Sequence, residues 1–312
     1  MIKHKVVVFF SIVVLSLQIA QAQNPDSVKT IPKLYPLWTF YVPAATHFYD
    51  GRIGTGIALS AFEVGFTTLG LVYDKDLQKY SNSPYYNYPL FIGLNALSVD
   101  KCDFLGNQLA YVKKMRPDFK YDDVSFSELL KQPFKPKNIF TPITIGFILL
   151  AGAELWLDSR YSDLPFHRVD KMSFLNREVD KYSGLGIYGT ASLAMSMEAG
   201  IGEEYIFRNY LMPVFDYRLG QRKGLIISSA VFGGMHAFNY LFVSNPDPID
   251  IISQVGFTAI MGYILGRNVQ LNDYRIGKAV AAHTWYDFTL MLGSFLTNPK
   301  ENIFGVNVTV KI

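Results

Sequence analysis

The stretch 200-GIGEEYIFRNY-210 sets two adjacent carboxylates, Glu203 and Glu204, and one guanidinium, Arg208, in a segment otherwise apolar enough for a bilayer. A charge at the centre of a hydrocarbon core costs about 2.5 kcal/mol or more, so charges there are rare and mark a partner or a function. Glu204 and Arg208 are four residues apart with the carboxylate first, the favourable order for an ion pair on one helix. A paired lock holding a helix end accounts for these two as readily as a functional role does. It leaves Glu203, which points to another side of the helix, without a partner on its own element.

Composition agrees with a membrane setting. Of the 312 residues, 50% are hydrophobic, 15% aromatic and only 18% charged, against about a quarter charged in an ordinary soluble domain. Mean hydropathy is positive. A net charge of +3 and the lack of a basic run with interleaved aromatics argue against nucleic acid. The single cysteine, Cys102, excludes an internal disulfide and a thiolate zinc site.

Six apolar stretches approach the roughly 20 helical residues that cross a bilayer. They are Ile53–Tyr73, Ile139–Leu157, Leu185–Tyr205, Leu225–Val243, Ile251–Gly266 and Ala279–Leu296. The expected fold class is therefore all-α, a polytopic membrane helix bundle of about six transmembrane helices. Pro89–Val112 is interrupted by Asp100, Lys101 and Asp103 and reads as an amphipathic surface helix rather than a span. The start MIKHK, the run VVVFFSIVVLSLQIA and the ending Ala20-Gln21-Ala22 describe a signal peptide over residues 1–22. Residues 23–138 form an N-terminal accessory region with one transmembrane helix, and 139–312 the membrane core, divided at the polar, proline-containing loop 113–137. The tail 303-IFGVNVTVKI-312 alternates well enough for a short strand. Lys113 and Lys114, Arg218, Arg222 and Lys223, and Arg275 and Lys278 favour a cytoplasmic side for their loops, against five positive charges in the opposite loop over residues 158–183. The expected location is a multi-pass position in a bacterial inner membrane.

Two later helices carry matching polar groups. In 231-VFGGMHAFNY-240, His236 follows Phe232 by four residues, and Gly233 and Gly234 permit close helix approach. In 279-AVAAHTWYDFTLML-292, His283 and Asp287 are four apart and share a face. Three of the six stretches, the third, fourth and sixth, thus offer two glutamates, two imidazoles and an aspartate at one depth. A carboxylate beside an imidazole can hold a water and take its proton, and a second imidazole can stabilise an oxyanion. The same residues, Glu203, His236, His283 and Asp287, also have the donor types of a zinc site, which leaves the metal question open. Neither HExxH nor GxSxG occurs.

The three motifs Glu203-Glu204-Tyr-Ile-Phe-Arg208, Phe232-Gly-Gly-Met-His236 and His283-Thr-Trp-Tyr-Asp287, in this order, resemble the CPBP family of intramembrane proteases. That family comprises the type II CAAX prenyl endopeptidases and the Abi-like proteins of bacteriocin processing and self-immunity. The resemblance covers about residues 184–296. It implies an endopeptidase in which Glu203 is the general base, His236 helps to position water, His283 and Asp287 face the oxyanion, and Glu204 with Arg208 organises the site. Asp287 stands where the best-studied members carry asparagine, and an ionised Asp cannot donate to an oxyanion. The expected partners are the lipid bilayer and a peptide or membrane-protein substrate. The competing reading is a non-catalytic membrane scaffold or bacteriocin-immunity-type protein, with the polar groups as an interhelical network and Gly262-x-x-x-Gly266 as a packing face. A site that lines a cavity favours the peptidase, and a site packed shut favours the scaffold.

Overall fold

The computed structural model describes residues 35–36, 38–78, 88–159, 165–174, 177–240, 245–299 and 307–310. The signal-peptide reading of residues 1–22 lies outside them. Eight principal helices follow in order: α1 (Ile53–Gln78), α2 (Tyr88–Met115), α3 (Pro142–Ser159), α4 (Lys181–Glu204), α5 (Met212–Leu219), α6 (Gln221–Met235), α7 (Pro248–Leu271) and α8 (Gly277–Thr297). Every one of the six apolar stretches is mainly helical, and the architecture is all-α. Among the described residues, Ile53–Asp74 and Pro248–Leu271 are long and apolar enough to cross a membrane, and Pro142–Leu157 is a shorter apolar helix.

The helix ends follow from local chemistry. The Asp180 carboxylate accepts the N–H groups of Tyr182 and Ser183 at 3.1 and 3.0 Å and starts α4. The Asp247 carboxylate accepts the Ile249 N–H at 2.8 Å, with Pro248 as the first helical residue of α7. Gly220, at φ +84°, supplies the turn between α5 and α6. Between α4 and α5 the chain forms a π-helical segment, Tyr205–Leu211. Pro213 follows it, and a proline both lacks an N–H and displaces the carbonyl four residues back, a local reason for the widened turn.

Close helix crossings frame the site. A Cβ placed on Gly200 of α4 would lie 2.4 Å from Thr284 Oγ1 and 3.0 Å from its backbone nitrogen on α8, so only glycine permits this antiparallel crossing. The ring of Phe147 on α3 meets that of Tyr286, and Leu155 lies against Gly293, which sets α3 parallel to α8. On α7, Gly262 faces Phe232 and Gly266 faces Leu225, so the expected small-residue face does pack, against α6. Gly233 meets Val255 and Ala259, whereas Gly234 meets nothing within 4 Å.

The surface placement of Pro89–Val112 is corrected. Its residues form the long helix α2, whose Leu90, Ile92, Ala96, Cys102, Phe104, Leu105 and Leu109 are buried. The charges that seemed to forbid burial are partnered by the segment before α1. Asp100 meets Lys101 at 2.7 Å and His47 at 3.2 Å, and accepts the Ala44 N–H at 3.1 Å. Lys101 also donates to the Val42 carbonyl at 3.2 Å, and Arg52 reaches Asp103 at 2.7 Å. A charge that interrupts an apolar helix can thus mark an internal contact as well as a wet face.

The loop after α2 is strapped to the ends of other helices. The Asp122 N–H donates to Asn209 at 2.8 Å, Asn209 returns a bond to the Asp122 carbonyl at 3.0 Å, and the Asp122 carboxylate accepts the Ile276 N–H at 2.9 Å. Asp216 accepts from Gln270 at 2.8 Å and from Tyr274 at 2.7 Å. These bonds gather the basic loops around Lys113, Arg218 and Arg275 at one end of the bundle. At the other end a small antiparallel sheet, ordered β2-β1-β3, joins β1 (Val169–Phe174), β2 (Arg177–Asp180) and β3 (Asn307–Val310). The tail strand is as expected, while β1 and β2 had no clear signal in a short charged segment. Replacing Gly200 by Val should lower stability by about 1–3 kcal/mol through overpacking. Thermal melting in detergent checks this, and a melting curve like the wild type's would show that the crossing opens freely.

Candidate functional site

The apolar helix α4 carries Glu203 and Glu204 to its last turn, where they leave on different sides. Glu204 is fully buried and Arg208 is 2% exposed. One oxygen, Glu204 Oε1, faces Arg208 Nη1 at 3.0 Å and His283 Nδ1 at 2.8 Å. The guanidinium also lies 3.9 Å from the centre of the Phe232 ring, a cation–π contact in a dry setting. The expected Glu204–Arg208 pair is therefore formed, within a π-helical turn rather than an α-helical one, and it has a third member on α8.

Glu203 turns to the other side and meets both imidazoles. Its Oε2 lies 4.0 Å from His236 Nε2 and 3.8 Å from His283 Nε2. These distances exceed a direct hydrogen bond and suit groups that share a water. His236 sits at the first residue after α6, where the chain tightens to a 3₁₀ segment over His236–Tyr240. It is thus at the end of its helix, although the apolar pattern had extended that helix to Val243. Its Nδ1 lies 2.9 Å from the Phe232 carbonyl. A carbonyl only accepts, so Nδ1 carries the hydrogen and Nε2 of the neutral ring is an acceptor turned to Glu203. Asp287, one turn after His283, places Oδ2 3.4 Å from His283 Nε2.

All six predicted residues therefore come together in two layers. Glu203, His236, His283 and Asp287 line a cavity of about 550 Å³, while Glu204 and Arg208 lie behind it. Apolar side chains, among them Phe91, Met195, Phe257 and Met291, make up much of the wall. The lining also includes Asn95, Glu154, Asn239 and Gln254, which the motif reading missed. Glu154 did leave a signal, as the one charged residue between Ile139 and Leu157. Asn95 was hidden because α2 was read as a surface helix.

A four-coordinate zinc ion needs its nitrogen and oxygen donors about 2.0–2.2 Å from one point. The donor types here are suitable, but among the described residues no three His, Cys, Asp or Glu side chains are gathered into such a set.

Replacing Arg208 by Ala would leave Glu204 as a buried, half-compensated charge, at a cost of about 3–5 kcal/mol. Replacing Glu204 by Leu and Arg208 by Met together should recover much of that loss. Melting temperatures of the single and double variants in detergent test this. Equal losses in both would show that the pair does not act as a unit.

Residues 188–289 match the family model described as Rce1-like, type II CAAX prenyl endopeptidase. No curated protein and no solved structure matches the chain. The matched interval contains all six residues of the two layers and stops short of α1, α2 and α3.

Proposed function

From a chain that carries a type II CAAX prenyl endopeptidase, Rce1-like domain over residues 188–289, we propose that it is an intramembrane endopeptidase hydrolysing a peptide bond by glutamate-activated water. The observation that carries this reading is the position of Glu203, at a water's width from two imidazoles, in the wall of a cavity. A non-catalytic network would have the same residues packed shut.

The chemistry starts from two acceptors. Glu203 Oε2 and His236 Nε2 each accept one O–H of a shared water, which leaves a lone pair of its oxygen free to attack the substrate carbonyl carbon. As the new C–O bond forms, Glu203 takes a proton. It returns that proton to the departing amine when the C–N bond breaks, so that water and peptide become acid and amine. His283 is the oxyanion donor. The ionised Glu204, held by Arg208, keeps the Nδ1 proton on the ring and fixes its orientation. Nε2, when it too carries a proton, donates to the oxyanion in a site of low dielectric constant. An ionised Asp287 accepts only, and in that form it acts by orienting His283 where an asparagine would donate directly.

The bundle end that gathers Lys113, Lys114, Arg218, Arg222, Lys223, Arg275 and Lys278 is the cytoplasmic one by the positive-inside rule. Glu203 lies at the end of α4 nearest to it, so cleavage takes place towards that face. The substrate is a peptide or a membrane-protein segment.

Glu203→Gln keeps the shape and removes the base. With a peptide library in detergent, it should lower kcat by about 10²-fold to 10⁴-fold while the protein still folds. Retained cleavage in a folded Glu203→Gln protein would remove Glu203 as the base. Elemental analysis of the purified wild type accompanies the assay, and stoichiometric zinc would move Asp287 and the two histidines to ligand roles. Absence of cleavage by the wild type, with a folded protein, would favour the scaffold reading.

A further inference from the structure

Glu154 belongs to none of the steps above. It stands on α3, outside the matched interval, yet it lines the same cavity as Glu203 and Asp287. The Tyr286 hydroxyl donates to its two oxygens at 2.9 and 3.1 Å. One O–H satisfies only part of a carboxylate, which offers about four acceptor positions.

The surroundings point to a cation. Phe147 lies two turns before Glu154 on the same face of α3, and its ring meets Tyr286 edge-on at 5.9 Å. Both rings line the cavity, with Leu155 and Leu290 alongside. A carboxylate flanked by aromatic rings in an apolar passage suits an ammonium or guanidinium on an aliphatic stem. The stem packs on the apolar wall, the head pairs with the carboxylate, and the rings add cation–π attraction. Among the described residues that line the cavity, none is Lys or Arg. Arg208 is turned behind the cavity onto Glu204.

We infer that Glu154, with Tyr286 and Phe147, forms a subsite for a Lys or Arg side chain of the substrate close to the scissile bond. The inference rests on the peptidase reading for the word scissile, but the binding site itself does not. Proximity follows from the chain, because Tyr286 is one helical turn after His283 and adjacent to Asp287. A purely structural role, in which the Tyr286–Glu154 bond only ties α3 to α8, would change stability without changing substrate preference.

The test uses the full chain in detergent and peptides that differ at one position, Lys against norleucine. In the wild type, kcat/KM should favour Lys by about tenfold or more, as expected for a hydrogen bond to a charged group. In Glu154→Gln the ratio should fall to near one, and in Glu154→Asp part of it should remain. Thermal melting confirms that each variant folds, and if Glu154→Gln does not, the wild-type ratio and Glu154→Asp decide. Cleavage without a Lys preference, or a preference that survives in folded Glu154→Gln, overturns the subsite and leaves the peptidase standing. Binding of the same two peptides to Glu203→Gln, read by fluorescence anisotropy, separates the two readings. A Lys preference there that is lost on adding Glu154→Gln upholds the subsite even if no peptide is cleaved, and no preference overturns it.

Discussion

One buried carboxylate organises the site. Glu204 is fully buried, and a bare charge in that position would be prohibitive. It is tolerated because Arg208, from the same helix, and His283, from α8, both point at its Oε1. That requirement draws α8 against the end of α4, and Gly200 permits the approach. It also decides which nitrogen of His283 is turned away from the cavity, and so aims the other at Glu203 and Asp287. The groups facing the cavity are positioned by a group that never reaches it.

The rest of the fold supplies a dry, shaped surround. The π-helical turn lets Arg208 lie across the Phe232 ring while remaining paired with Glu204. Phe232 in turn offers its carbonyl to His236, so one residue of α6 serves both layers. At the end with the basic loops, Asp122 and Asp216 hold α8, α7 and the π-helical turn by hydrogen bonds to backbone and side-chain donors. At the opposite end Tyr188 and Phe295 stack at 3.9 Å beneath the small sheet. Polar straps thus tie the helices at one end and stacked rings at the other, and the cavity lies between the helices.

Much of the site was legible because its chemistry is written at helical spacing. Glu204 and Arg208, Phe232 and His236, and His283 and Asp287 are each four residues apart, and a spacing of four puts two side chains on one face whatever the helix packs against. Apolar stretches likewise declared the helices, since a hydrogen-bonded backbone is the only economical way to bury such runs. What failed was inference from charge to exposure. Asp100 and Lys101 read as a wet face, yet both are buried, because their partners His47, Val42 and Ala44 lie more than fifty positions earlier.

By itself the sequence determined the helical class, the three motifs and the identities of the six residues that meet, since each of these depends only on neighbours along the chain. Tertiary structure alone decided which pairs form between helices. The bond from Glu204 to His283, the gap between Glu203 and the two imidazoles, the burial of α2 and the arrival of Glu154 at the cavity all join residues distant in sequence. Periodicity defines a face of a helix but not the neighbour it meets. That choice comes from the close approach allowed at Gly200 and Gly262 and from the need of buried Glu204 and Arg208 for partners.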